Sequence, residues 1–215
     1  MQQSLFGARS PEVDREFCRL QRVSLGRGAW IDYVPGWLGG DAIVLELLRQ
    51  STSWRAGRRR MYDRMVDVPR LTASIPEDGP GHPVLSEMAM LLSRRYRRPL
   101  WRHSLALYRT GRDSVAWHGD RLTNREDALV AVVSLGRPRR FLLRPKGGGP
   151  SRSFEAGFGA LLVMGGTCQA TFEHAVPKVA HAEPRMSIML REAGTALPSD
   201  LARLKREDAT LRRSG

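Results

Sequence analysis

The chain has 215 residues, 41% hydrophobic and 27% charged, which fits one globular domain able to bury a sizeable core. Its 35 Lys and Arg against 22 Asp and Glu give a net charge of +13 and a pI near 11.1, a balance that suits a polyanionic partner such as nucleic acid. No run of 18 apolar residues occurs and the amino terminus lacks the basic-then-apolar pattern of a secretory signal, so no membrane-spanning helix and a cytoplasmic protein are expected.

Residues 1 to 26 are polar and irregular, with a short helix expected around Glu12 to Leu20. Asp41 can cap a helix whose Ile43, Leu45, Leu47 and Leu48 favour burial and which should end near Ser53. Pro83 opens a second helix: Leu85, Met88, Leu91 and Leu92 recur at helical spacing and form a core stripe, and the arginines from 94 onward suit its carboxyl end. From Trp101 the pattern changes to short β-rich runs at Ser104 to Tyr108, Ala128 to Leu135, Arg140 to Arg144, Ala160 to Met164 and Met186 to Arg191, which predicts a sandwich or jelly roll behind a helical front part. Arg144-Pro-Lys-Gly-Gly-Gly-Pro150 reads as a turn; it lacks the Gly-Lys-Ser/Thr of a phosphate loop.

The chemistry is carried by His118-Gly119-Asp120, a later histidine, and Arg185 and Arg191. On extended chain His118 and Asp120 leave the same face, and Gly119 lets the backbone bend close to an ion. Two imidazoles and a carboxylate on one face of an ion are the ligand set of non-heme Fe(II) oxygenases. His174, after the apolar run from Ala160, fits as the distant third ligand, and His181 in a polar segment competes for that place. An isolated His-x-Asp is equally a hydrogen-bonded turn; the ordered arrival of the third partner and the arginines separates the two readings. If 185 to 191 is a strand, Arg185, Ser187, Met189 and Arg191 share a face, and inward guanidiniums require anions, which a dicarboxylate would supply.

The stretch Tyr108-Arg-Thr-Gly-Arg-Asp-Ser-Val-Ala-Trp-His-Gly-Asp120, then Val133-Ser-Leu-Gly136, Phe172-Glu-His-Ala-Val-Pro-Lys178 and Arg185 to Arg191 resembles the AlkB family of 2-oxoglutarate-dependent dioxygenases over roughly residues 27 to 192. The resemblance implies an α+β fold with a double-stranded β-helix (jelly-roll) core. It implies Fe(II) bound by His118, Asp120 and His174. It also implies 2-oxoglutarate held at its distal carboxylate by Arg185 with Tyr108, with Ser187 beside them and Arg191 serving the other end of the cosubstrate or the substrate pocket. The family's usual Asn residues are replaced here by Ala106 and Ser187. The organisation that follows is an extension over 1–26, one domain over 27–195 with helices and a lid in 27–100 and the jelly roll in 101–192, and a charged tail over 196–215.

In the same resemblance Arg60 to Arg70 is the nucleotide-recognition lid. Tyr62 would cover an extruded base above His118, with Trp117 nearby and Arg60, Arg64 and Arg70 on the backbone; Tyr62 equally reads as a packing residue of the lid. Arginine clusters at 55–60, 94–98 and 137–140 are candidate phosphate contacts in DNA or RNA, although arginine is scattered along the whole chain. The implied reaction uses Fe(II), 2-oxoglutarate and O2 to hydroxylate an N-alkyl carbon; the hemiaminal collapses to an aldehyde and the free base. A hydroxylase or demethylase of proteins, and a nucleic-acid-binding protein with a vestigial oxygenase site, are the rival readings. Gln2-Gln-Ser-Leu-Phe6 resembles the short peptide by which repair proteins bind a sliding clamp, against the plainer reading of a disordered or core-docking terminus. Cys18 and Cys168, far apart, are read as reduced and structural.

Overall fold

Valine-rich and leucine-rich runs such as Val130-Ala-Val-Val and Ala160-Leu-Leu-Val offer apolar side chains on both faces of a strand, so each such strand needs cover on both sides. The computed structural model, which describes residues 10–61, 64–75, 83–120 and 127–192, supplies that cover with three layers. In chain order the strands and helices are β1 (Glu12–Val13), β2 (Gln21–Gly26), β3 (Ala29–Val34), β4 (Leu38–Gly39), α1 (Asp41–Ser51), β5 (Arg55–Met61), β6 (Arg64–Ile75), α2 (Pro83–Tyr96) and β7 (Leu100–Tyr108). They continue with β8 (Val115–His118), β9 (Val130–Gly136), β10 (Arg139–Pro145), β11 (Arg152–Ala156), β12 (Ala160–Gly166), α3 (Cys168–Thr171), β13 (Phe172–Val176) and β14 (Arg185–Glu192).

An eight-stranded antiparallel sheet runs β2-β3-β12-β9-β14-β7-β6-β5, and a four-stranded sheet runs β11-β10-β13-β8. Strand alternation sorts the core. Ala131, Val133 and Leu135 of β9, with Met186, Ile188 and Leu190 of β14, pack under α1 and α2 against Val44, Leu48, Leu85, Met88 and Leu92. Val130 and Val132, on the opposite face, meet Phe141 and Leu143 of β10 and Val176 of β13 between the two sheets. This is the expected double-stranded β-helix with helices backing its larger sheet. Where β12 begins, Gly159 has φ +72°, and a Cβ there would lie 1.9 Å from the Leu38 carbonyl oxygen.

The five strands expected from Ser104 onward and the helix from Pro83 lie where the sequence places them, while β8, β11 and β13 of the smaller sheet are strands it did not single out. Three expectations are corrected. No helix forms over Glu12 to Leu20: Glu12–Val13 pairs with Leu38–Gly39, Phe17 takes a left-handed φ of 54°, and the Asp14 carboxylate accepts the N–H groups of Glu16 and Cys18, closing a turn in competition with a helix. Asp41 does not cap α1. Gly40 is the N-cap, and Asp41 sits in the first turn with its carboxylate accepting the Gly136 N–H at 2.7 Å. The front part is not mainly helical: six strands precede α2, and β5 and β6 form a hairpin added to the larger sheet beside β7. Among the described residues no helix is long and apolar enough to cross a membrane.

Candidate active site

Pairing of β13 with β8 makes His174 and His118 direct cross-strand partners, so their imidazoles leave the smaller sheet on one face with ring centroids 4.3 Å apart. Phe141 of β10 stacks on His174 from the other side at 5.1 Å. His118 holds its Nδ1 against the Ala116 carbonyl oxygen at 2.9 Å. A carbonyl only accepts, so Nδ1 carries a proton in this contact and Nε2 is the ring nitrogen left to other partners. Burial, then the neighbouring His118, pushes His174 down to about 4 although Asp120 pulls the other way, which leaves it a neutral imidazole.

Asp120 follows at the end of β8, its Oδ2 4.0 Å from His174 Nε2. Its Oδ1 accepts from Arg191 Nη2 at 2.6 Å. Burial by itself would raise this carboxyl, but Arg191, His174 and His118 outweigh burial and hold it below the usual carboxylate range. Gly119 does not take left-handed backbone; what it provides is clearance, since a Cβ there would lie 3.3 Å from Lys146 Cε. His181 is exposed in the loop between β13 and β14, so His174, not His181, joins His118 and Asp120. As they stand, no three His, Cys, Asp or Glu side chains among the described residues converge tightly enough to enclose an ion. Two ligands at right angles, each about 2.1 Å from one ion, stand roughly 3 Å apart. The Asp120 to His174 gap therefore exceeds a closed sphere by about one ångström. Two imidazoles and an ionised carboxylate on one rim are chemically the donor set that Fe(II) takes.

The alternation expected for β14 is present. Met186, Ile188 and Leu190 face the helices, while Arg185, Ser187, Met189 and Arg191 face the inter-sheet space. Arg185 is 0% exposed. Its Nη2 donates to Ser134 Oγ at 3.2 Å and to Ser187 Oγ, and the Tyr108 ring lies 4.8 Å from its Cζ. Nε and Nη1 have no partner, and burial pulls the group down to about 10, so it remains a cation at neutral pH without a carboxylate beside it among the described residues. Buried N–H groups of that kind mark a place for an anion. Arg191 extends along the same face, reaching Ser104 Oγ at 2.6 Å as well as Asp120.

These groups open on a cavity of about 1260 Å³ between the β5–β6 hairpin and the jelly roll, lined by Arg55, Arg70, Thr72, Tyr108, Trp117, His118, Asp120, His174, Ser187 and Arg191 among others. Arg185 is not itself on the wall; Tyr108 and Ser187, which touch it, are. Trp117 is held flat by the Arg144 guanidinium 4.0 Å over its ring, which Glu173 anchors at 2.7 Å. Asp120 is the one carboxylate on this wall among the described residues and is already paired, so the cavity favours anions. Tyr62 lies outside the described residues, as do the side chains of Arg60 and Arg64, the peptide Gln2 to Phe6 and the tail from 193.

Ser104, Ser134 and Phe141 escape the sequence reading, whereas Arg55 belongs to the cluster 55–60 already marked for phosphate contacts. Ser134 lies inside an apolar run and Ser104 opens one, and only the register Ser187↔Ser134 and Met189↔Ser104 turns them towards the arginines. Of the arginine clusters, several members are already engaged: Arg98 with Asp127 and Glu192, Arg137 with Glu183, and Arg139 buried among carbonyls.

A family model described as the 2OG-Fe(II) oxygenase superfamily matches residues 54–205. Alpha-ketoglutarate-dependent dioxygenase alkB homolog 3 of Homo sapiens is 30% identical over 171 residues, covering 69% of this chain and 60% of that protein, and the Bos taurus protein of the same name gives the same figures. The chain thus spans about 60% of the length of the curated relatives it matches. Among solved structures, a prolyl hydroxylase from Trichoplax adhaerens in complex with a hypoxia inducible factor peptide has a TM-score of 0.58 at 13% identity, covering 75% of this chain and 82% of that one. OsALKBH1 has a TM-score of 0.55 at 13% identity, covering 80% and 100%. These likenesses establish the jelly-roll fold.

Proposed function

The chain belongs to the 2OG-Fe(II) oxygenase superfamily, with AlkB proteins as sequence relatives and Fe(II), 2-oxoglutarate and O2 as its cofactor set, and on that premise we propose that it removes alkyl groups from the nitrogen atoms of bases in DNA or RNA. The observation that carries this reading is the meeting, on the wall of one anion-favouring cavity, of His118, Asp120 and His174 with Arg191, while Arg185 of the same β14 face lies buried behind the wall residues Tyr108 and Ser187 with unpartnered N–H groups.

In this reading His118, Asp120 and His174 hold Fe(II), which with 2-oxoglutarate and O2 supplies hydroxylation of the N-alkyl carbon. The Ala116 carbonyl occupies His118 Nδ1, so Nε2 is the nitrogen that would bind the ion. Arg191 aims the Asp120 carboxylate and keeps it ionised. Arg185 offers its unpartnered N–H groups to the far carboxylate of 2-oxoglutarate, with Tyr108 on the cavity side of it. Ser187 and Ser134 brace that guanidinium where the family has an amide, and Ala106 opposite Ser187 leaves the wall low. Trp117, stiffened by Arg144, gives a flat apolar surface beside His118 for a base taken out of its stack, and Arg55 and Arg70 face the flanking phosphates from the hairpin. The C–N bond of the hydroxylated carbon then breaks with its electron pair returning to the base nitrogen, the hydroxyl proton is lost, and the carbon leaves as an aldehyde.

Succinate release from protein supplied with Fe(II), 2-oxoglutarate and an N-methylated single-stranded oligonucleotide tests the reading. Release that depends on the methyl group and disappears in Asp120→Ala is expected. Equal release with methylated and unmodified oligonucleotides would overturn the substrate assignment.

A further inference from the structure

The two histidine strands are short and pair at two register points only, His174↔His118 and Val176↔Val115, with an irregularity between them. So brief a ladder does little to fix the spacing of two imidazoles. The loops that lead into β8 and out of β13 are instead joined by one buried side chain. Arg139, the first residue of β10, is 5% exposed. Its Nη1 donates to the Thr110 carbonyl oxygen at 3.4 Å, and its Nη2 donates to those of Asp113 at 3.2 Å and Pro177 at 2.5 Å. Thr110 and Asp113 belong to the loop that enters β8, and Pro177 is the residue that follows β13.

The same junction is closed a second way. Val179 donates its N–H to the Gly111 carbonyl oxygen at 2.9 Å, and the chains run so close there that a Cβ on Gly111 would stand 2.3 Å from the Val179 oxygen. Asp113, itself buried, ties the loop to its own start through the backbone N–H and guanidinium of Arg109. A buried guanidinium ordinarily meets a carboxylate. Here its hydrogen bonds go to three carbonyls in two loops, and a planar fork can span that set where the compact ammonium of Lys cannot.

We infer that Arg139 is a positioning residue for the metal site, setting the spacing of His118 and His174 by clamping the Thr110, Asp113 and Pro177 carbonyls from outside the cavity. The inference rests on the assignment of His118, Asp120 and His174 as metal ligands. It is tested by titrating the full chain with Co(II), reading affinity by calorimetry and ligand geometry by visible absorption. The variants are Arg139→Lys, Gly111→Ala and, as a destabilised control away from the junction, Asp32→Asn, whose carboxylate binds Arg22 and Tyr96. Arg139→Lys and Gly111→Ala should each weaken Co(II) at least tenfold and alter the spectrum, whereas Asp32→Asn should lower the melting temperature and leave both unchanged. Wild-type affinity and spectrum in Gly111→Ala and in whichever Arg139→Lys protein folds would overturn the inference and leave Arg139 a structural residue. A wild-type chain silent to Co(II) would instead remove the ligand assignment, and this inference with it.

Discussion

Arg191 and Asp120 form a 2.6 Å ion pair in which the guanidinium also reaches Ser104, so the carboxylate assigned to the metal is oriented by β14 before any ion arrives. Arg191→Gln keeps hydrogen-bonding capacity but removes the charge. Loss of a charge-assisted hydrogen bond costs about 1.5–3 kcal/mol, roughly ten- to a hundredfold in affinity. The affinity for Co(II), read by calorimetry, should fall by that factor; an unchanged affinity would show that Arg191 does not orient the metal carboxylate.

Arg185 yields a prediction in which stability and binding move in opposite directions. Its guanidinium is fully buried against Tyr108 and two serines, with two nitrogens unpartnered. Replacing a buried charge that lacks a counter-ion by an apolar side chain of similar length is neutral or stabilising. Arg185→Met should therefore hold or raise the melting temperature while weakening 2-oxoglutarate binding at least a hundredfold by calorimetry. A large fall in melting temperature would show that the cation serves the fold.

Much of this site was readable from spacing alone, because side-chain alternation is local. Arg185, Ser187 and Arg191 fall on one face of any strand that contains them, as do His118 and Asp120 on extended chain. Which histidine lies beside His118 depends on long-range pairing, through the register His174↔His118. Ser104 and Ser134 were hidden for the same reason. The strands of the front part failed to show because β2 and β3 carry Arg22, Asp32 and Tyr33 inside them, polar residues whose partners are distant in sequence. The missing helix over Glu12 to Leu20 reflects a competing local bond, Asp14 to Glu16 and Cys18.

Asp32 is 0% exposed at the centre of β3, where it accepts two bonds from Arg22 and one from Tyr96 at 2.8 Å, joining the sheet edge to α2. Tyr96→Phe should lower stability by about 1.5–3 kcal/mol in urea unfolding, the range for a hydrogen bond to a charged group, without altering the KM for 2-oxoglutarate. A change in that KM would reveal coupling between this edge and the cavity.

The cysteines differ in access. Cys18 is exposed, with its thiol held above the usual value by Asp14, and Cys168 is buried, where desolvation pushes it up to about 12. A thiol reagent such as DTNB should modify Cys18 alone in the native protein, slowly, and both thiols after unfolding. Rapid native modification of both would contradict the packing of α3.

The most direct test of the central claim is the mass of an N-methylated single-stranded oligonucleotide after incubation with the protein, Fe(II), 2-oxoglutarate and O2. Loss of one CH2 per methylated base, with formaldehyde released and no change in the His174→Ala variant, is the predicted result. An oligonucleotide of unchanged mass, in the presence of protein shown to bind both metal and 2-oxoglutarate, would contradict the assignment.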